Sequence, residues 1–122
     1  MTPRIIPLNP DREYFFDEGC FINELSNSDA DTAVSIAQAR VAVGNTTRWH
    51  RLHDTTERYV ILSGSGRVDV GDQVQAVQPG DVVIIPPLCR QRITNTGNGD
   101  LVFLAICSPR FRPEYYEDLE PA

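Results

Sequence analysis

From residue 35 onward the sequence is a series of short segments in which apolar and polar side chains alternate, separated by turn residues at nearly even spacing. Alternation with a period of two is typical of strands that bury one face. Glycine, proline, Asn, Asp and Ser dominate the separators, as tight turns require. The predicted strands cover residues 35–43, 48–52, 58–62, 67–70, 73–77, 82–85, 91–95 and 101–107. Many short strands at even spacing predict an all-β sandwich or barrel.

The first part of the chain, residues 1–34, is less regular. Aromatic and apolar clusters at residues 14–16 and 20–22 predict two short strands. Residues 25–32 are polar, and we expect a loop there. This part is therefore interpreted as an N-terminal arm with edge strands.

The last part of the chain, residues 109–122, is rich in Pro and Glu, which are uncommon in strands. We expect a short irregular or helical tail, with a helical turn within residues 114–119. The barrel itself is assigned to residues 35–108. A chain of 122 residues is long enough for one self-sufficient core, so we expect one domain overall.

The charge of the chain disfavours several kinds of partner. The net charge is −6, and all eleven basic residues are arginines. An acidic protein is a poor ligand for a phosphate backbone, so we expect no nucleic-acid partner. No apolar run approaches the roughly 20 residues that cross a bilayer, so we expect no membrane partner. The three cysteines form no zinc or disulfide pattern, and a cytoplasmic location is expected.

Glycine, histidine, glutamate and proline occur at fixed intervals in two places. In the first, five residues separate Gly44 from His50, Glu57 lies seven residues beyond His50, and six residues separate Glu57 from Gly64. In the second place, the regularly spaced residues, which we call anchors like those of the first, are Gly80, Pro86 and Asn95. All of these anchors lie at strand ends or on predicted strands.

These anchors resemble the two motifs of the cupin family. The resemblance implies a double-stranded β-helix, also called a jelly-roll barrel, with a divalent transition metal such as Ni, Zn, Mn or Fe held by three His and one Glu. The sequence departs from the motifs where Leu52 replaces a His, Leu88 a Gly and Gln91 a His. The stretches 49–52 and 56–59 look like the small single-domain group of cupins described as mannose-6-phosphate-isomerase-like. Small cupins commonly pair through their sheets, so the resemblance also implies a homodimer.

Strand alternation selects the candidate metal ligands. His50 and Leu52 share one face of their strand, and Glu57 and Gln91 would lie on inward faces of two others. Nitrogen and oxygen donors that converge suit a borderline divalent metal. His50 and Glu57 are therefore the expected ligands, and Gln91 is either a third, weaker ligand or a partner for backbone groups at the mouth of the barrel. His53 joins them only if a bulge turns it to the same side.

Four further residues are candidates for binding a ligand. Tyr59 and Asn95 lie on the same faces as Glu57 and Gln91, respectively. Gln38 and Arg40 share one face of the strand before the first motif. If that face points inward, Arg40 would anchor an anionic group, because guanidinium binds carboxylate and phosphate well. A small organic ligand is the expected partner.

Two function classes remain open from the sequence. The first is a metal-assisted enzyme, with isomerase, lyase and dioxygenase as the candidate reactions. The second is a non-catalytic domain that binds or senses a small molecule and holds no metal. The replacement of two ligand positions, by Leu52 and Gln91, favours the second class. Whether the chain is an enzyme is left undecided at this level.

Overall fold

The structure is a computed structural model that describes residues 1–121. The strands are β1 (Tyr14–Phe16), β2 (Cys20–Ser28), β3 (Asp31–Val41), β4 (His50–Leu52), β5 (Thr56–Ser63), β6 (Gly66–Val70), β7 (Gln73–Val77), β8 (Val82–Ile85), β9 (Gln91–Asn95), β10 (Leu101–Ser108) and β11 (Tyr116–Asp118). Two short 3₁₀-helices cover Pro10–Arg12 and Pro113–Tyr115. The all-β prediction is confirmed, and β7, β8 and β9 begin and end at the predicted residues.

The strands form two antiparallel sheets. The order of the larger sheet is β1-β2-β3-β10-β5-β8, and that of the smaller sheet is β11-β4-β9-β6-β7. Buried residues of both sheets form one core, which includes Ile61 and Phe103 from the larger sheet and Val68 and Ile93 from the smaller. The two sheets therefore face each other and enclose the interior of a barrel.

Period-two burial decides which side chains enter that interior. On β5 the residues Glu57, Tyr59 and Ile61 are buried, and their neighbours are more exposed. On β9 the buried set begins with Gln91 and Ile93. These are the inward faces that the alternation predicts.

The N-terminal part differs from the prediction. The expected polar loop at residues 25–32 is largely strand, because β2 continues to Ser28 and β3 begins at Asp31. Two register shifts, around Ser26, let the polar end of β2 stay paired with β3. Backbone pairing holds these residues in a sheet although their side chains show no apolar alternation.

The C-terminal part also differs from the prediction, after residue 115. A 3₁₀-helix at Pro113–Tyr115 agrees with a short helical tail, but the next three residues form β11. In the register, Tyr116 lies opposite Leu52 and Asp118 opposite His50, so β11 completes the edge of β4. Among residues 1–121, no helix has the length and the hydropathy that crossing a bilayer needs.

Gly64 and Gly80 provide a matched test of the fold. Both have positive φ, of 87° and 94°, but a Cβ on Gly64 would lie 2.5 Å from the carbonyl oxygen of Asp100, whereas one on Gly80 meets nothing within 4 Å. We expect Gly80→Ala to cost about 1 kcal/mol, from the positive φ alone. Gly64→Ala should cost a further ~2 kcal/mol, because the backbone beside it must move. Urea unfolding of both variants measures this; equal losses would contradict the close approach of Gly64 to Asp100.

Candidate functional site

A cavity of about 340 Å³ lies between the sheets. Small side chains make the space: Ala37 and Ala39 on β3 face the cavity, and Ala105 on β10 lies opposite Ala37 in the register. Leu52 and Phe103 add apolar wall. A volume of this size suits a small organic molecule.

His50 contributes a buried imidazole to this wall, with only 2% of its surface exposed. Its Nδ1–H donates to the carbonyl oxygen of Arg48 at 2.7 Å, which fixes the ring. Its Nε2 lies 2.9 Å from Glu18 Oε1. The ring also stacks on Tyr116, with centroids 5.2 Å apart. Nδ1 carries the proton that it donates to Arg48. The short contact between Nε2 and Glu18 needs a second proton between these two atoms.

The pairing with Glu18 determines the charge of His50. Burial lowers the pKa of His50, but the Glu18 carboxylate, aided by Glu57 and by the Arg48 carbonyl, outweighs burial and raises that pKa to about 9. His50 is therefore an imidazolium at neutral pH.

Glu18 is a site residue that the sequence analysis missed. It lies in the tight turn between β1 and β2, where Gly19 has a φ of 105° and donates its N–H to the Phe16 carbonyl. The Arg48 N–H donates to the Glu18 carbonyl at 2.8 Å, which docks the turn on the residues before β4. No local pattern reveals this contact, because it joins segments thirty residues apart in sequence.

Glu57 is the second carboxyl group on the cavity wall. In the part of the chain that the structure describes, its buried Oε1 satisfies no hydrogen-bond geometry, and its Oε2 lies 3.9 Å from Cys107 Sγ. Burial raises the pKa of Glu57 to about 7; His50 opposes this shift, and Glu18 adds to it. Glu57 is therefore divided between its neutral and charged forms at neutral pH.

Tyr59 and Gln91 lie next to Glu57. The Tyr59 hydroxyl donates to Gln91 Oε1, and burial raises the pKa of Tyr59 well above its usual value. Gln91 Nε2 satisfies no hydrogen-bond geometry, yet Gln91 is close enough to lower the pKa of Glu57. Tyr59 therefore stays a neutral donor, and its bond with Gln91 occupies the amide oxygen.

Residues 37–107 match the cupin domain family. This chain belongs to the cupin family. The two sheets are those of the double-stranded β-helix that the family resemblance implies. The finer resemblance to the mannose-6-phosphate-isomerase-like group stays a prediction.

Three known proteins are similar to this cupin. An uncharacterized protein of Methanocaldococcus jannaschii is 33% identical over 124 residues, which cover 98% of this chain and 99% of that protein. The structure of Pac13, a nucleoside dehydratase of Streptomyces, aligns with a TM-score of 0.78 at 14% identity, over 98% of this chain and 92% of Pac13. A predicted oxalate decarboxylase of Thermotoga maritima aligns with a TM-score of 0.68 at 27% identity, over 74% and 80% of the two chains.

The predicted site residues separate into two sets. His50, Glu57 and Tyr59 line the cavity together, and Gln91 lies behind its wall. His53, however, lies outside the cavity: it directly follows the last residue of β4, whose pairing with β11 shows no register shift. Its Nε2 lies 2.6 Å from Glu117 Oε1, and 42% of its side-chain surface is exposed.

The candidate ligand-binding residues other than Tyr59 also lie outside the cavity. Ala37 and Ala39 take the inward face of β3, so Gln38 and Arg40 point to the other side. Arg40 is paired there with Glu13 at 2.6 Å and with Asp100 at 3.2 Å. Asn95 is buried, but its Nδ2 donates to the carbonyl oxygens of residues 41 and 99 and its Oδ1 accepts from the N–H of residue 97. Asn95 therefore holds a loop.

The residues at the expected metal position do not fit a transition metal. Leu52 has no donor atom, Gln91 Oε1 accepts from Tyr59, and His50 Nε2 is paired with Glu18. Within residues 1–121, no three or more His, Cys, Asp and Glu side chains are grouped so that they can hold a metal ion. The structure therefore does not bring His50, Glu57, Gln91 and His53 together as one set of metal ligands, because His53 lies outside and Gln91 lies behind the wall.

The buried His50 and Glu57 predict a loss of stability as the pH rises. The folded-state pKa of Glu57 is raised from 4.5 to about 7, so its protonated form favours folding at low pH and this contribution is lost as the pH rises to 7. The stabilisation from His50 is complete below pH 6.5 and is lost as the pH rises through 9. For His50 this amounts to about 3 kcal/mol.

Urea unfolding between pH 5 and pH 9.5 tests this assignment. Glu57→Gln should flatten the decline below pH 7, and adding His50→Gln to it should also flatten the decline above pH 6.5. The double variant is needed because His50 opposes the raised pKa of Glu57, so that removing His50 alone would move the Glu57 decline to higher pH. His53→Gln is the matched control, since it removes the other histidine of the chain and leaves the buried pair intact. A double-variant curve that is as steep above pH 6.5 as that of Glu57→Gln alone would refute the link between His50 and the pH dependence.

Proposed function

We propose that this cupin is an acid–base enzyme that binds a small organic molecule between its sheets and moves protons on it without a bound metal, as a lyase or an isomerase does. The observation that carries the proposal is the buried pair of His50 and Glu18, 2.9 Å apart on the wall of an apolar cavity, with Glu57 on the same wall. Perturbed ionisable groups that converge on a cavity are typical of active sites.

His50 is the proton donor in this proposal. Its Nδ1–H is held by Arg48, so only Nε2 exchanges a proton with Glu18 or with a ligand. The raised pKa of about 9 keeps that proton in place at neutral pH. Stacking on Tyr116 keeps the ring in one orientation, as an efficient proton donor requires.

Glu57 is the proton acceptor. General bases are most efficient when their pKa lies near the ambient pH, and the pKa of Glu57 is about 7. Within residues 1–121 its Oε1 satisfies no hydrogen-bond geometry, although the Gln91 side chain beside it lowers the pKa of Glu57.

A simple reaction for these two groups is loss of water from a β-hydroxy carbonyl compound. The Glu57 carboxylate removes the proton on the α-carbon, and the electrons of that C–H bond form the C=C bond. The C–O bond to the β-hydroxyl breaks, and His50 Nε2 gives its proton to the leaving oxygen, which departs as water. Glu57 then returns the proton to His50 through solvent. Pac13, on the same fold, is a nucleoside dehydratase; the roles given to this chain rest on its own residues.

The proposal is tested with a panel of small β-hydroxy carbonyl compounds, both neutral and amine-bearing. The protein is treated with a chelator and incubated in D₂O, and NMR follows deuterium at the α-carbon while mass spectrometry follows loss of water. We expect turnover by the wild type, and a loss of about 10²-fold or more in Glu57→Gln and His50→Gln. His53→Gln should retain full activity.

Two results would overturn this function. If no compound exchanges or loses water, the competing non-catalytic binding role, which the absence of a donor at Leu52 favours, takes its place. If turnover returns only when Fe, Mn, Ni or Zn is added back, the chemistry depends on a metal.

A further inference from the structure

The charged groups on the cavity wall are mostly acidic. Glu18, Glu24 and Glu57 line the cavity, and His50 is the basic residue among them. The chain has eleven arginines and no lysine, and within residues 1–121 none of these arginines lines the cavity. Arg40, the predicted anchor for an anion, is paired outside with Glu13 and Asp100. With His50 neutralising Glu18, the remaining charge on the wall comes from carboxylates.

Apart from these charged groups, much of the cavity wall is aromatic. The aromatic residues that line the cavity are Tyr14, Phe16, Tyr59, Phe103, Phe111 and Tyr116. The faces of such rings are negative and attract cations, most strongly when the site is shielded from water. Rings and carboxylates therefore favour the same sign of ligand charge.

Glu57 adds a geometric observation from the same wall. It is nine-tenths buried on the cavity wall, and among residues 1–121 its Oε1 satisfies no hydrogen-bond geometry, although the Gln91 side chain lies beside it. An unsatisfied buried carboxyl oxygen is costly and calls for a donor or a positive charge. A positively charged ligand group in the cavity would supply one.

We infer that the ligand of this cavity is a small organic cation, an amine or a quaternary ammonium compound, held by the aromatic rings and by Glu24 and Glu57. The inference rests on the proposed function only in that both use the same cavity. It replaces the anionic ligand that Arg40 suggested, because Arg40 is on the other face of β3.

Glu24 is the residue that tests this charge preference apart from the acid–base groups. Burial raises the pKa of Glu24, and a cation beside it would favour the ionised form again. Glu24 lies on β2, away from the Glu18 turn, and has no role in the proposed proton transfer. Glu24→Gln removes the charge and keeps the size of the side chain.

The probes are choline, its uncharged isostere 3,3-dimethylbutan-1-ol, and the anion 3,3-dimethylbutanoate. The three have similar bulk, so their affinities, measured by calorimetry and by NMR shifts of cavity residues, differ through charge. We expect choline to bind about tenfold or more tightly than the alcohol, and the anion to bind most weakly. Glu24→Gln should weaken choline several-fold and leave the alcohol unchanged.

Glu114→Gln is the matched control, because Glu114 is an exposed acidic residue outside the cavity. The inference is overturned if choline binds no better than the alcohol, absence of binding by both included, if the anion binds best, or if Glu114→Gln weakens choline as much as Glu24→Gln does. Choline binding with no turnover of the β-hydroxy carbonyl panel would remove the proposed catalysis and keep the cation preference. Turnover of neutral members with no preference for cations would do the reverse.

Discussion

The pairing of Glu18 with His50 inside the barrel sets the conditions for the rest of the site. A lone charge in such an interior costs several kcal/mol, so each of these groups needs the other if both are to be ionised. The pair also has a structural role, because Glu18 belongs to the β1–β2 turn and His50 to β4, so the contact joins the two sheets. Because the Glu18–His50 pair is neutral overall, it gives Glu57 little compensation for its burial. Burial therefore raises the pKa of Glu57.

The sequence predicts much of the fold, because turn chemistry and alternation are local properties. The bounds of β7, β8 and β9 are predicted correctly where Gly71, Pro79 and Pro86 interrupt the alternation. The polar end of β2 and the short β11 are not predicted. These segments become strands because a neighbouring strand has unpaired backbone groups to which they can hydrogen-bond, as β4 has for β11. The pattern of side chains in the sequence does not show which strand will be the neighbour.

The site is predicted in part for the same reason. Spacing and alternation bring His50, Glu57 and Tyr59 to one wall, but alternation alone does not say which face of β3 is inward. Small residues at Ala37 and Ala39 decide it, because they leave the cavity open, and Gln38 and Arg40 go outward as a consequence. Glu18 could not be found, since its place depends on how a distant turn docks.

Two features change what His50 is suited to do: Leu52 stands where the family motif has a second His, and Glu18 pairs with His50 Nε2. A metal needs the neutral imidazole, whose free lone pair on Nε2 forms the bond, so metal and proton compete for one atom. The Glu18 carboxylate, 2.9 Å from Nε2, favours the bound proton over a metal ion, because it raises the pKa of His50 to about 9. In this chain His50 Nε2 is therefore suited to hold a proton, and the proposal assigns the role of proton acceptor to Glu57 on the same wall. The proposed acid–base chemistry depends on Nε2 holding a proton where a metal ion would need its lone pair.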